Sequence, residues 1–303
     1  MAKALYDEVS GVARKVKKKY DGVSGIARKV KKAYDGVNGI ARQYFGGGTP
    51  LGELPIGTTV KAYYDDPSSL SRKGTVEFIV VHHGRPSTHY TGFDGGTCLW
   101  VKYVLPCLKN EYIVYGQNNY DIWDAEAEDY WQVYTSDYGC YGMHARLNNY
   151  FVNYFNIASL MNTVKVPYAA PDCDQYEDEY GWQYVINRYQ GYVSCKLFVL
   201  SLAEMGCISD YYDGVKLDYF KQSGSSSSNT EANNLRKFQE SSGSSTYHEY
   251  WTRTVSGDNY AFPIGTNGYY GSVRMAGSAT LIPRFACVLP STTLVDDSFN
   301  IIV

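Results

Sequence analysis

The residues with the most to say about function are tyrosines and asparagines near the C-terminus. Asp258, Asn259, Tyr260, Asn267, Tyr269 and Tyr270 sit on or beside two turn signals, Ser256-Gly257-Asp258-Asn259 and Thr266-Asn267-Gly268. Tyrosine offers large contact area at low entropy cost, and asparagine offers adaptable hydrogen bonds. Loops that carry both on a rigid scaffold make binding surfaces. These six are the candidate ligand-binding residues. The chain holds 31 tyrosines, so ordinary β-turn service is the competing role for them.

Other chemistry finds less support. His82 and His83 are neighbours in an expected strand. Adjacent strand residues point to opposite faces, so the pair is poorly placed to share a metal; one should face the core and one solvent. Asp172-Cys173-Asp174 with Glu177-Asp178-Glu179 offers oxygen ligands but lacks EF-hand spacing, and reads as a solvated acidic loop. Seven cysteines contain no C-x-x-C pair, which argues against a zinc ribbon and a complete disulfide framework. They read as buried thiols. No G-x-S-x-G, Cys-His or phosphate-loop signature is present. The expectation is a non-enzymatic protein with no cofactor and no metal.

The elements around these residues come next. Tyr250-Trp251-Thr252-Arg253-Thr254 reads as a strand with Trp251 in the core, and Leu281 to Leu289 as a buried strand interrupted by Arg284. Leu54 to Lys61 and Gly74 to His83 read as strands paired across Asp65-Asp66-Pro67-Ser68-Ser69. Leu99 to Leu105 and Lys196 to Ser201 read as further strands. Leu147, Phe151 and Phe155 are spaced for one face of an amphipathic helix over His144 to Phe155. Leu202 to Met205 and Ala232 to Glu240 are shorter helix candidates, and Gly224 to Asn229 is a loop.

The N-terminal part is different in kind. Tyr6-Asp7-Glu8-Val9-Ser10-Gly11-Val12-Ala13-Arg14 returns as Tyr20-Asp21-Gly22-Val23-Ser24-Gly25-Ile26-Ala27-Arg28 and again as Tyr34-Asp35-Gly36-Val37-Asn38-Gly39-Ile40-Ala41-Arg42, a period of 14 residues. Val12, Val16 and Tyr20 suit one face of a strand or of a helix. The recurring Ser-Gly and Asn-Gly dipeptides favour turns, and hence strands. So short a unit must stack on something else. Tyr6, Tyr20, Tyr34, Arg14, Arg28 and Arg42 are the candidate anchoring residues. Residues 1 to 47 hold 11 Lys/Arg against 4 Asp/Glu, a net of +7, and the remainder holds 17 against 27, a net of −10. Two readings stand: an arm that meets an acidic surface, protein or nucleic acid, and a solvated face that keeps it soluble. Gly46-Gly47-Gly48-Thr49-Pro50 reads as the linker.

No run of 18 apolar residues occurs, so no membrane insertion is expected. The basic N-terminus is a poor signal peptide, so assembly in a cytoplasm is expected.

Several of these stretches carry a resemblance. Tyr250 to Thr254 resembles the W-W-L-R-S strand of a prophage-encoded family with a C-type-lectin-like domain. Ile282 to Pro290 resembles its closing strand, usually near V-R-P-A-F-I-L-P. Glu77 to His82 is similar to its E-F-I-V-V-H strand, and Val164 to Tyr168 and Lys196 to Ser201 to its middle strands. The likeness covers roughly Leu51 to Val303. Thr252 replaces the usual Leu, and Pro283 and Arg284 are exchanged, so a local backbone difference is expected there. The E-P-N, Q-P-D and W-N-D motifs of sugar-binding C-type lectins are missing, which argues against calcium-dependent sugar binding. Formylglycine-generating enzymes share this broad fold, but paired cysteines near the C-terminus are not found. Related lectin-like proteins are diversified by retroelements that scatter Tyr, Asn, Asp, Ser and His over one face, and the six candidate residues fit that set.

The resemblance implies an α+β fold: a C-type-lectin-like domain over residues 51–303, behind a basic, β-rich arm over residues 1–47. It implies a phage virion surface protein, assembled in the host cytoplasm. Other virion proteins are the expected partners of the arm. A host surface protein or glycan is the expected partner of the C-terminal loops, and a homo-oligomer is expected. The alternative is a capsid decoration or head-fibre protein with no specific ligand.

Overall fold

Runs such as Val76 to Val81 and Phe285 to Leu289 are rich in β-branched and aromatic residues, and both are strands in the computed structural model. The structure describes residues 48–65, 73–105, 147–170, 189–208, 214–221, 230–255, 260–270, 274–275 and 281–303, with the backbone of strands inside 6–46 and 175–184. The chain is strand-rich, with a few short helices, and divides into two units, Met1–Thr49 and Pro50–Val303.

The first unit contains three antiparallel hairpins: Tyr6–Val9 with Val12–Lys15, Tyr20–Val23 with Ile26–Lys29, and Lys32–Val37 with Ile40–Gly46. The turn dipeptides therefore decide in favour of strands over helices. Each repeat takes the same register, with Asp7 opposite Arg14, Asp21 opposite Arg28 and Asp35 opposite Arg42. Tyr6 stands opposite Lys15 and Tyr20 opposite Lys29, while Tyr34 meets Gln43.

The second unit is built on a five-stranded antiparallel sheet. Its order is Leu197–Val199, Phe285–Pro290, Gly96–Val101, Lys73–His83, Thr59–Asp65. Gly96–Val101 is buried along its whole length, so it lacks the alternation that marks a half-exposed strand. A second sheet runs Arg274–Met275, Tyr260–Ile264, Tyr250–Val255, Ile282–Pro283, with the last pair parallel. Phe78, Phe155 and Phe285 pack edge-on or tilted at 5.4–6.4 Å in the core.

Several expected elements differ in extent. The first strand begins at Thr59, because Leu51–Glu53 forms a 3-10 turn and residues 54–58 turn into the sheet. The expected strand to Leu105 ends at Val101. Leu147, Phe151 and Phe155 do share a buried face, but a helical turn at 147–149 and the 3-10 helix Phe151–Tyr154 carry it. Residues 202–206 form turns, not a helix. The later helix is Thr230–Arg236, and the chain then turns extended at Phe238–Gln239. Gly224 to Asn229 lies outside the described residues.

Candidate functional site

The Tyr250–Val255 strand is the floor of the candidate site, and buried polar groups fix it. Trp251 is fully buried. Arg253 Nη2 donates to Glu204 Oε1 at 2.7 Å, and its Nε donates to the Pro167 carbonyl at 2.8 Å. Tyr90 donates to the same carboxylate oxygen at 2.7 Å, and the Ser201 amide donates to Oε2 at 2.8 Å. Burial, followed by the Glu204 charge, pushes the Tyr90 phenol far above its ordinary value, so it stays a proton donor. A fully desolvated ion pair is tolerated when its remaining lone pairs are satisfied in this way. Thr252 Oγ1 donates to the Phe262 carbonyl at 2.6 Å, tying the strand to its neighbour.

The turn above this floor is held from below. Gly265 N donates to Tyr269 O at 2.9 Å and Gly268 N to Gly265 O at 2.8 Å. Gly268 has φ +81°, and a Cβ there would lie 1.9 Å from the Asn233 carbonyl oxygen. Only glycine fits such a close approach. The buried Arg236 donates from Nε to Gly268 O at 2.9 Å. The turn is thereby fixed to the Thr230–Arg236 helix.

Three candidate residues are brought together here. Asn267 is exposed, and its Oδ1 accepts from the Tyr269 amide at 3.0 Å. Tyr269 and Tyr270 are half-buried and stack on each other, centroids 4.6 Å apart at 28°. Tyr270 also meets Phe262 edge-on at 6.2 Å. Hydrogen bonding to Tyr269, then partial burial, raises the Tyr270 phenol. Tyr260 starts the Tyr260–Ile264 strand, opposite Met275, while Tyr270 bridges to Ile264 at the other end. Four residues at ~3.3 Å each separate these positions by roughly 13 Å along the strand. Tyr260 and the Asn267–Tyr270 turn therefore lie at the two ends of one strand. Asp258 and Asn259 lie outside the described residues.

The remaining candidates are placed as follows. His82 is buried, with Nδ1 2.8 Å from Asp218 Oδ2 but off the ring's hydrogen-bonding direction. Burial lowers its pKa, against the opposing pull of Asp218. His83 occupies the other face, where Thr97 Oγ1 and the Leu54 carbonyl hold its ring at 3.0 and 2.9 Å. It is half-buried and bonded instead of facing open solvent, which corrects that expectation. Cys98, Cys195, Cys207 and Cys287 are buried thiols. Burial pushes Cys195, Cys207 and Cys287 up to about 12. Cys107, Cys140 and Cys173 lie outside the described residues. Of the acidic stretch, Glu177 and Asp178 lie in a strand opposite Trp182 and Gly181. No helix among the described residues is long and apolar enough to cross a membrane.

Residues 108–291 match the family described as Domain of unknown function (DUF6273). This chain belongs to that family. The DUF6273 match contains the floor strand, the tyrosine turn and the Phe285–Pro290 strand. It leaves out Thr59–Asp65, Lys73–His83 and Gly96–Val101, three of the five strands in the main sheet. The Phe285–Pro290 strand pairs directly with Gly96–Val101, so the folded unit needs residues ahead of the DUF6273 match. No curated protein and no solved structure matches the chain.

Sequence reasoning missed one feature altogether. A cavity of about 410 Å³ opens beside the Thr230–Arg236 helix, walled by Lys102, Tyr103, Tyr219, Lys237, Tyr247 and Arg284. These residues come from distant parts of the chain, so no local spacing marks them.

Proposed function

We propose that this chain is a non-enzymatic phage virion surface protein. Its repeated basic arm anchors it to other virion proteins, and its lectin-like domain attaches to a host surface protein or glycan. The observation that carries this reading is the stacked Tyr269–Tyr270 pair on a turn fixed from below by Gly268 and Arg236. A rigid turn loses little entropy on binding, and paired tyrosines supply contact area with polar tips. The strand-rich domain with a buried Trp-x-Arg strand supports the lectin-like reading, as does the order of the resembling strands along the chain. The competing reading is a decoration protein without a specific ligand. The observation that favours it is the three arm hairpins in one register, which suit assembly whether or not the domain binds anything.

The test separates the two units genetically. Deleting residues 1–47 should abolish incorporation into particles or oligomers. Replacing Tyr260, Tyr269 and Tyr270 by alanine should leave incorporation intact and remove attachment to host cells. Normal incorporation without the arm defeats the anchoring role. Normal attachment by the folded tyrosine variant leaves the decoration reading ahead.

A further inference from the structure

The cavity beside the Thr230–Arg236 helix has an unusual charge balance. Arg284 is 2% exposed, yet no carboxylate pairs with it among the described residues. Its Nε donates to Val101 O at 2.9 Å, and its Nη1 to the carbonyls of Arg236 and Lys237 at 2.9 and 3.0 Å. The guanidinium lies 3.3 Å above the Trp100 ring and near the Phe238 and Tyr250 rings. Buried cations are ordinarily paired with anions, as Arg253 is with Glu204. Arg284 instead borders an open space.

Two more cations border the same space. Lys237 Nζ lies 5.3 Å from the Tyr247 ring centroid and has no acidic partner among the described residues. Lys102 Nζ donates to Thr59 Oγ1 at 3.1 Å and to Glu77 Oε2 at 3.3 Å, so its charge is partly met. Burial opposes its charge, but contacts with Tyr103 and Glu77 outweigh that and raise its pKa. Among the described residues, no Asp or Glu lines the cavity itself. Tyr103, Tyr219 and Tyr247 supply aromatic faces with hydroxyl tips, and Asn234 at the edge adds an amide. The volume falls in the ~300–1,000 Å³ range of small-ligand sites.

We infer that this cavity binds an anionic sugar, a glycan unit bearing a carboxylate or a phosphate. Lys237 and Lys102 hold the acid group by charge-assisted hydrogen bonds. Arg284 contributes a fixed positive field from the wall and strengthens it through low surrounding dielectric. The tyrosines stack on the ring and bond its hydroxyls. Neutral sugars lack the partner for the cations, so the site discriminates by charge. The inference stands on the cavity alone, whether or not the tyrosine turn contacts a target.

The test is calorimetric titration of the full chain with three probes: glucuronic acid, glucose 6-phosphate and methyl glucoside. One or both acid sugars should bind, and the neutral sugar should bind at least about tenfold more weakly. Preference for glucuronic acid marks a uronic-acid glycan, and preference for glucose 6-phosphate marks a phosphorylated one. Raising the salt concentration should weaken binding of the acid sugars alone. Lys237→Gln should remove most of that preference with an unchanged melting temperature. Tyr260, Tyr269 and Tyr270 to alanine should leave this titration untouched. Failure of both acid sugars to bind, equal binding of the neutral sugar, or full affinity in folded Lys237→Gln would overturn the inference.

Discussion

Tyr250 and Tyr270 are separated by a single strand position, yet they do opposite work. Tyr250 pairs across the ladder with Ile264, and Ile264 bridges to Tyr270. Tyr250 is 1% exposed, and its hydroxyl donates to the Arg236 carbonyl at 2.7 Å. Burial raises its phenol pKa, so it stays neutral and acts as a core residue. Tyr270 is half-buried and stacks on Tyr269, with its ring edge toward Phe262. Arg236 serves both, accepting from Tyr250 through its carbonyl and donating to Gly268 under the turn. Residue type does not decide a tyrosine's role in this chain. Depth, and the partner of the hydroxyl, decide it.

Breaking the floor should have the largest effect. Arg253→Ala leaves the Glu204 carboxylate buried without its ion-pair partner, which costs roughly 3–5 kcal/mol. Trp251→Ala removes a fully buried ring, at a cost of a similar ~3–5 kcal/mol. Denaturant midpoints measure both. A stable Trp251→Ala protein that had lost attachment alone would move this strand from floor to binding face.

Breaking the link between floor and rim comes next. Gly268→Ala puts a Cβ against the Asn233 carbonyl at a positive φ, a strain on the order of 1–3 kcal/mol. Attachment should fall along with stability, since the turn can no longer hold its shape. Normal attachment by this variant would show that turn geometry is irrelevant to the target.

Breaking the rim alone should spare the fold. Tyr260, Tyr269 and Tyr270 to alanine should lower affinity for the host surface about thirtyfold, the result of losing ~2 kcal/mol of interface energy. Stability should fall by only about 1 kcal/mol, contributed by Tyr270 where it packs on Phe262. Unfolding of the triple variant would place these tyrosines in the core and erase the contrast.

The smallest effect tests the main sheet through pH. Burial lowers the His82 pKa below its ordinary 6.5, with Lys221 and His83 adding to the effect and Asp218 opposing it. The folded state therefore binds this proton more weakly than the unfolded chain does. Its contribution is whole above about pH 6.5 and is lost as pH falls through the folded value. His82→Gln should flatten the stability profile in that window. An unchanged profile would mean that another group sets it.

Local signals in the sequence were enough to find the Thr266–Gly268 turn. Thr266-Asn267-Gly268 is a turn because Gly268 takes a conformation that other residues resist, and Trp251 and Arg253 are buried in a strand that is buried on both faces from Tyr250 to Thr254. The buried face of Leu147, Phe151 and Phe155 was visible too, although short helical turns carry it. What stayed hidden depends on residues far apart in the chain. Glu204 sits in an unremarkable turn and gains its meaning from Arg253, 49 residues on. Arg284 looked like an interruption in an apolar strand, and its aromatic bed includes Trp100, 184 residues earlier. Gly96–Val101 is buried on both faces, so period-two alternation could not reveal its bounds.

The most direct test of the contrast between floor and rim is hydroxyl-radical footprinting of the full chain, free and bound to host surfaces, read by mass spectrometry. Tyr269 and Tyr270 should react readily in the free protein and become protected on binding. Tyr250 and Tyr90 should be unreactive in both states, because both are about 1% exposed. Unchanged reactivity at Tyr269 and Tyr270 in the bound sample would contradict the account and leave the turn without a target.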